Sequence, residues 1–200
     1  MNYDLFGTPV LSIDPISKIN GLQYIHNYID ATTEKKLIES IDKQNWISDL
    51  KRRVQHYGYK YNYRAKRIDL SMKIGKLPVW ANEIAERLKK DGYFKLNPDQ
   101  VIVNEYMPGQ GITAHIDCEP CFENTIVSLS LASDTTMVFT NEAIDEKIPI
   151  ILRKRSLVVL KGESRYDWKH SIPSRRSDKI NDKTVKRQRR ISLTFRRVIL

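Results

Sequence analysis

Two cysteines and four histidines are all that the 200 residues hold. A disulfide-built scaffold is therefore excluded, and a chain of this length can bury a core without one. Any metal site must draw on that short set of nitrogen and sulfur ligands together with carboxylates. Long apolar runs are missing too: none approaches the ~20 residues that span a bilayer. The stretch Met1–Pro15 carries Asp4 and Asp14 but no basic residue, so it lacks the basic start of a signal peptide. The expectation is an intracellular protein, cytoplasmic or nuclear, monomeric and with no membrane partner. Internal repeats and low-complexity linkers are also lacking, so residues 1–200 read as a single domain.

What is present in excess is positive charge. Thirty-four Lys and Arg against 24 Asp and Glu give a net charge of +10. The excess is segregated. Residues 151–200 hold 16 basic and 4 acidic residues, and residues 51–67 hold seven basic residues and no acidic one. The remainder of the chain is net acidic. Segregation of this kind presents a positive surface to a polyanion.

Two helices are readable near the front. Asp30 and the threonines after it offer N-caps ahead of an apolar stripe of Leu37, Ile38 and Ile41. Pro78 opens a second stripe of Trp80, Ile84 and Leu88 at steps of four, and Gly92 stops it. From about residue 100 the pattern changes to short β-branched runs. Strands are predicted at 101–106, 125–131, 135–140, 148–152, 156–160, 167–171 and 190–198, punctuated by Pro108-Gly109, Ser133-Asp134 and Gly162. The class is mainly β with N-terminal helices: helices and a basic-aromatic run over 1–99, and a sandwich or barrel-like core over 100–200. The charged segment Arg175–Arg189 reads as a mobile loop.

Three patterns carry chemistry. In His115-Ile116-Asp117, residues i and i+2 of an extended backbone project to one side, so an imidazole and a carboxylate can converge on one ion. With His170 they make a two-His, one-carboxylate face, the donor set that suits Fe(II) and leaves positions open. The last strand places Arg190, Ser192, Thr194 and Arg196 on one face and Ile191, Leu193 and Phe195 on the other. The apolar face belongs in a core. Two guanidinium groups on the polar face need anionic partners, and a small dicarboxylate beside the metal would supply them. Asn104 and Tyr106 share one face of an otherwise apolar strand and can orient the same ligand.

The third pattern is the run Lys51–Arg67, which interleaves basic residues (Arg52 and Arg53 among them) with His56, Tyr57, Tyr59, Tyr61 and Tyr63. Cations hold phosphates and rings stack on unpaired bases. Period-two spacing would put the four tyrosines on one stacking face. Cys118-Glu-Pro-Cys121 follows the metal pair, but no second C-x-x-C exists to complete a zinc site. The two are read as incidental thiols.

Together these motifs resemble one family. The segments Asn104–Asp117, Ser128–Leu131, Gly162–His170 and Arg190-x5-Arg196, in that order, are similar to the AlkB family of Fe(II)/2-oxoglutarate-dependent dioxygenases. The resemblance covers residues 20–200. It is strongest to the branch containing the oxygenase module of the animal tRNA-modifying homologue, which has a basic-aromatic run like Arg52–Tyr61. It implies a double-stranded β-helix, or jelly roll, with a nucleotide-recognition lid. It implies iron on His115, Asp117 and His170. It places 2-oxoglutarate on Arg190, Asn104 and Tyr106, with Arg196 nearer the metal and O2 as the second co-substrate. Ser192 stands where some members have an asparagine that touches the co-substrate. The implied activity is oxidative demethylation of alkylated bases in single-stranded DNA or RNA, with release of succinate, CO2 and formaldehyde. Hydroxylation of a modified wobble uridine in tRNA, and a non-catalytic nucleic-acid-binding module, are the alternatives.

Overall fold

The computed structural model describes residues 14–62, 65, 67–180 and 182–200, together with the backbone of a short strand pair, β1 (Asn2–Tyr3) and β2 (Pro9–Val10). Tyr63, Arg64 and Lys66 of the basic-aromatic run, and most of the acidic N-terminal stretch, lie outside the described residues. The elements then run β3 (Leu22–Ile25), α1 (Ala31–Asp42), β4 (Arg53–Tyr57), α2 (Val79–Lys90), β5 (Gln100–Tyr106) and β6 (Ile112–His115). They continue with β7 (Phe122–Leu131), β8 (Thr135–Asn141), β9 (Glu146–Leu152), β10 (Leu157–Leu160), α3 (Glu163–Tyr166), β11 (Lys169–Ile172), β12 (Ser177–Ile180), β13 (Lys183–Lys186) and β14 (Arg190–Val198). Among the described residues no helix is long and apolar enough to cross a membrane.

Both helices start where the sequence says. The Asp30 carboxylate accepts from the Thr33 amide and caps α1, and Pro78 caps α2. Leu37, Ile41, Ala81, Ile84, Ala85 and Leu88 form their buried faces. These faces lie on a six-stranded antiparallel sheet of order β3-β10-β7-β14-β5-β4. The sheet offers them Val101, Val103, Val127, Leu129, Ile191, Leu193 and Phe195. Its other face meets a four-stranded sheet of order β6-β11-β8-β9, with Phe122, Ile126, Phe139, Ile150, Leu160, Trp168 and Ile172 between the two. Two facing antiparallel sheets with helices outside make the expected jelly roll.

β14 sits at the centre of the large sheet, paired with β5 on one side and β7 on the other. Strand alternation therefore decides the site. Ile191, Leu193 and Phe195 go under the helices, and Arg190, Ser192, Thr194 and Arg196 face into the space between the sheets.

Two expectations are corrected. The 167–171 strand is displaced: the chain first makes the short helix α3, and the strand begins at Lys169. The segment Arg175–Arg189 is a hairpin, β12 with β13, not a mobile loop. Three of its charges pair with one another. Buried Asp178 accepts two hydrogen bonds from buried Arg187 (2.6 and 2.9 Å) and two from Arg175 (2.8 and 2.5 Å), and Arg187 also donates to the Pro173 carbonyl. Burial alone would raise the Asp178 pKa, but the two arginines bring it from 3.8 down to about 2. A depressed folded-state pKa stabilises the fold above the unfolded value and ceases to do so as pH falls. Asp178→Ala is expected to lower stability by about 3 kcal/mol at neutral pH, measured by denaturant unfolding. The difference from the parent should shrink as pH drops from 3.8 towards 2.

Candidate active site

Antiparallel pairing brings the two histidines together. His170 of β11 lies directly opposite His115 of β6, and opposed residues project to the same face. Their ring centroids are 4.4 Å apart. Gly111 permits this approach, because a Cβ there would stand 2.1 Å from the Ile172 carbonyl oxygen. The chain then runs through Ile116 to buried Asp117, whose Oδ2 is 3.8 Å from His170 Nε2.

The two Asp117 oxygens have different surroundings. Oδ1 accepts from Arg196 Nη2 at 2.6 Å and Nε at 3.1 Å, while Arg196 Nη1 donates to Gln100. Oδ2 is buried with no hydrogen-bond partner among the described residues. A buried carboxylate oxygen left without a donor is costly, and beside two imidazoles it can accept a cation. His115 Nδ1 is 2.8 Å from the Thr113 carbonyl, which can only accept. Nδ1 therefore carries the proton and Nε2 keeps its lone pair. Burial, reinforced by neighbouring His115, pushes the His170 pKa down to about 3, so its ring is neutral. Burial would raise Asp117, yet Arg196 above all, with Arg165 adding to it, holds it well below the usual carboxylate range. Two imidazoles, that of His170 neutral, and an ionised carboxylate fit divalent iron.

Cross-strand register builds the other end of the cavity. Arg190 pairs with Tyr106 and Ser192 with Asn104, so all four side chains share one face. Arg190 is 2% exposed. One nitrogen donates to Ser130 Oγ at 2.8 Å and the guanidinium lies 5.4 Å from the Tyr106 ring centroid. Its Nε and Nη1 have no partner among the described residues, and burial pushes its pKa down to about 10. A buried cation with two unused donors fits a carboxylate. Ser192 bonds Ser128 at 2.9 Å. The cavity between the arginines and the histidines is about 320 Å³, walled by Tyr61, Ile112, Phe122, Ile126 and Leu160.

The basic-aromatic run divides. Its first strand, β4, pairs at the edge of the large sheet. Tyr57 faces the helices and packs edge-on against Trp80 at 5.3 Å, and Arg53 bonds Glu105 and covers Trp46. Gly58, at φ +79°, then turns the chain and breaks the period of two. Tyr59 is buried. Tyr57, Tyr59 and Tyr61 therefore share no single stacking face. Arg52 and Tyr61 do reach the cavity: Arg52 donates to Asn104 at 2.8 Å, and Tyr61 tilts against Phe122 at 6.1 Å. His56 takes a hydrogen bond from the Tyr61 amide, and burial brings its pKa to about 4.

The cysteines are a second correction of the sequence reading. Cys118 and Cys121 are joined as a disulfide, not free thiols. A one-turn 3₁₀ helix at Glu119–Cys121 brings their Cα atoms to 5.3 Å, within bonding range. Sequence reasoning also passed over Ser130, the hydroxyl under Arg190, and Arg165, which bonds the Asp117 and Cys118 carbonyls. Neither side chain has a spacing that distinguishes it before the strands are paired.

Known proteins resemble this chain over most of its length. Residues 43–196 match the family model described as the 2OG-Fe(II) oxygenase superfamily. An uncharacterized protein, L905, of Acanthamoeba polyphaga mimivirus is 41% identical, with 90% of this chain and 86% of that one covered. The alkylated DNA repair protein ALKBH8 homolog of Arabidopsis thaliana is 36% identical over 95% of this chain and 62% of its own length. The tRNA (carboxymethyluridine(34)-5-O)-methyltransferase ALKBH8 of Mus musculus is 40% identical over 89% of this chain, which spans 30% of that protein. The solved structure of OsALKBH1 superposes with a TM-score of 0.68 at 16% identity, covering 94% of this chain and all of that one, a likeness of fold.

Proposed function

Because the chain belongs to the AlkB family within the 2OG-Fe(II) oxygenase superfamily, and is thus a dioxygenase using Fe(II), 2-oxoglutarate and O2, we propose that it oxidises a C–H bond of a modified nucleobase in DNA or RNA. The observation that carries this reading is one cavity with an unpartnered carboxylate oxygen beside two histidines at one end and an unpartnered guanidinium at the other. His115, Asp117 and His170 hold the metal. Arg196 fixes one Asp117 oxygen and turns the other towards it. Arg190 takes the distal carboxylate of 2-oxoglutarate, with Tyr106 and Asn104 beside it. Iron with its two co-substrates supplies the oxidant for the C–H bond. The apolar wall of Phe122, Ile126 and Leu160 keeps water from that end of the cavity, and Tyr61 and Arg52 stand where a flipped base would enter.

The rim supports a nucleic-acid substrate. Gln110 donates to the Lys51 carbonyl, and Gly109 to that of Arg175, so one loop gathers exposed Lys51, Arg175 and Arg176 beside the cavity. Cations so placed follow phosphates, whatever the sugar. Lys51→Ala with Arg176→Ala is expected to weaken single-strand binding, with the slope of log K against log salt falling by about 0.7 per residue. An unchanged slope would move the phosphate path elsewhere.

The first reading of the product is demethylation. Succinate and formaldehyde should form in equal amounts with an oligonucleotide carrying 1-methyladenine or 3-methylcytosine. The second is hydroxylation of a modified wobble uridine, favoured by 40% identity to the mouse protein named for carboxymethyluridine 34. Nucleoside mass spectrometry of treated tRNA would then show the gain of one oxygen atom. Turnover with neither substrate would defeat both readings.

A further inference from the structure

Arg165 is almost fully buried, at 2% exposure. It lies in α3, five residues before His170. Its Nη1 donates to the Asp117 carbonyl at 2.9 Å and its Nη2 to the Cys118 carbonyl at 3.1 Å. Its guanidinium lies 5.0 Å from the ring centroid of Tyr166. Among the described residues no carboxylate is bonded to it; its hydrogen-bond acceptors there are two successive peptide oxygens. Burying a cation against neutral acceptors is expensive, and an apolar residue would fill the same space at less cost.

The segment that carries Arg165 is itself tied down. The Ser164 amide donates to the Asn20 carbonyl at 2.9 Å, Ser164 Oγ to the Lys161 carbonyl at 2.8 Å, and Asn20 Nδ2 to Glu163 at 2.9 Å. From this fixed base the planar fork of one guanidinium spans two carbonyls, which a single ammonium cannot do. Asp117 is thus held twice: Arg196 grips its carboxylate, and Arg165 grips its backbone.

We propose that Arg165 is a positioning residue for the metal site. It sets the backbone of the Asp117–Cys118 loop and ties that loop to the segment that delivers His170, so that the carboxylate and this imidazole keep their relative placement. The proposal rests on the assignment of His115, Asp117 and His170 as metal donors. Outer partners of metal ligands are worth ~10- to 100-fold in metal affinity.

The test uses the full chain with Mn(II), bound without turnover and followed by electron paramagnetic resonance of the free ion. Arg165→Gln is expected to bind Mn(II) at least ~10-fold more weakly. Its kcat should fall, while the KM for 2-oxoglutarate, set by Arg190, stays near the parental value. Arg165→Lys should recover part of the affinity. Parental Mn(II) affinity in folded Arg165→Gln would overturn the proposal, even if that variant melted earlier. Should Arg165→Gln fail to fold, Arg165→Lys serves, and parental affinity in it overturns the proposal equally. His170→Ala is the control. If it too binds Mn(II) like the parent, the metal assignment itself falls. If it loses Mn(II) while Arg165→Gln keeps it, the positioning role alone falls.

Discussion

Replacing Asp117 with alanine is expected to reduce 2-oxoglutarate turnover by more than ~100-fold, the upper range for losing even an outer partner of a metal ligand. Two effects act together. The metal loses its single anionic donor among the three, and Arg196 loses the acceptor of two of its hydrogen bonds while remaining buried. An unpaired buried charge costs ~3–5 kcal/mol, so the variant should also unfold at a lower denaturant concentration. Asp117→Asn separates the effects. Its amide oxygen can still accept from Arg196, so most stability should return while turnover stays lost. Succinate release and a urea titration on the same preparations check both. Turnover within a few-fold of the parent in Asp117→Ala would remove the metal reading.

Replacing Arg190 with leucine is expected to move binding and stability in opposite directions. Arg190 is a buried cation whose polar side-chain contacts among the described residues are one hydroxyl and one ring face. The arginine whose charge most disfavours its own is Arg187, of like sign. Without the dicarboxylate, leucine should be the better occupant, raising stability by ~1–4 kcal/mol as when other poorly compensated buried charges are replaced. At 200 residues this amounts to roughly 2–4 °C in Tm per kcal/mol. With the dicarboxylate, the leucine variant loses a charge-assisted partner worth ~2–5 kcal/mol, and the KM for 2-oxoglutarate should rise at least ~30-fold. The thermal shift produced by 2-oxoglutarate in the parent should disappear in the variant. A lower Tm together with an unchanged KM would show that Arg190 is a structural cation and that the co-substrate lies elsewhere.

How much of this was readable beforehand depended on whether the signal was local. The helices were, because Asp30 and Pro78 cap them and the apolar stripes follow at once. β14 was, to its ends, because alternation of arginine with Ile191, Leu193 and Phe195 is a local pattern. So was the meeting of His115, Asp117 and His170, because four histidines leave few choices. The hairpin in Arg175–Arg189 was not. Its stability comes from Arg187 reaching back nine residues to Asp178, and a run of charges shows nothing of that pairing. β6 and β11 were missed or misplaced because each is four residues long and defined by its partner. The tyrosine alternation misled because Gly58 interrupts it. The disulfide and Arg165 depend on turns that bring close what spacing alone leaves undecided.

The central place of β14 bears on how such a chain can change by descent. A residue inserted between Arg190 and Arg196 would reverse the facing of every side chain beyond it. It would send a guanidinium under the helices and an apolar group into the cavity, losing catalysis and core in one step. The hairpin faces no such bar: β12 and β13 pair only with each other, in a sheet apart from β14. Length variation among relatives should therefore gather in the hairpin tip and spare the seven residues from Arg190 to Arg196, where substitution is open but insertion and deletion are closed.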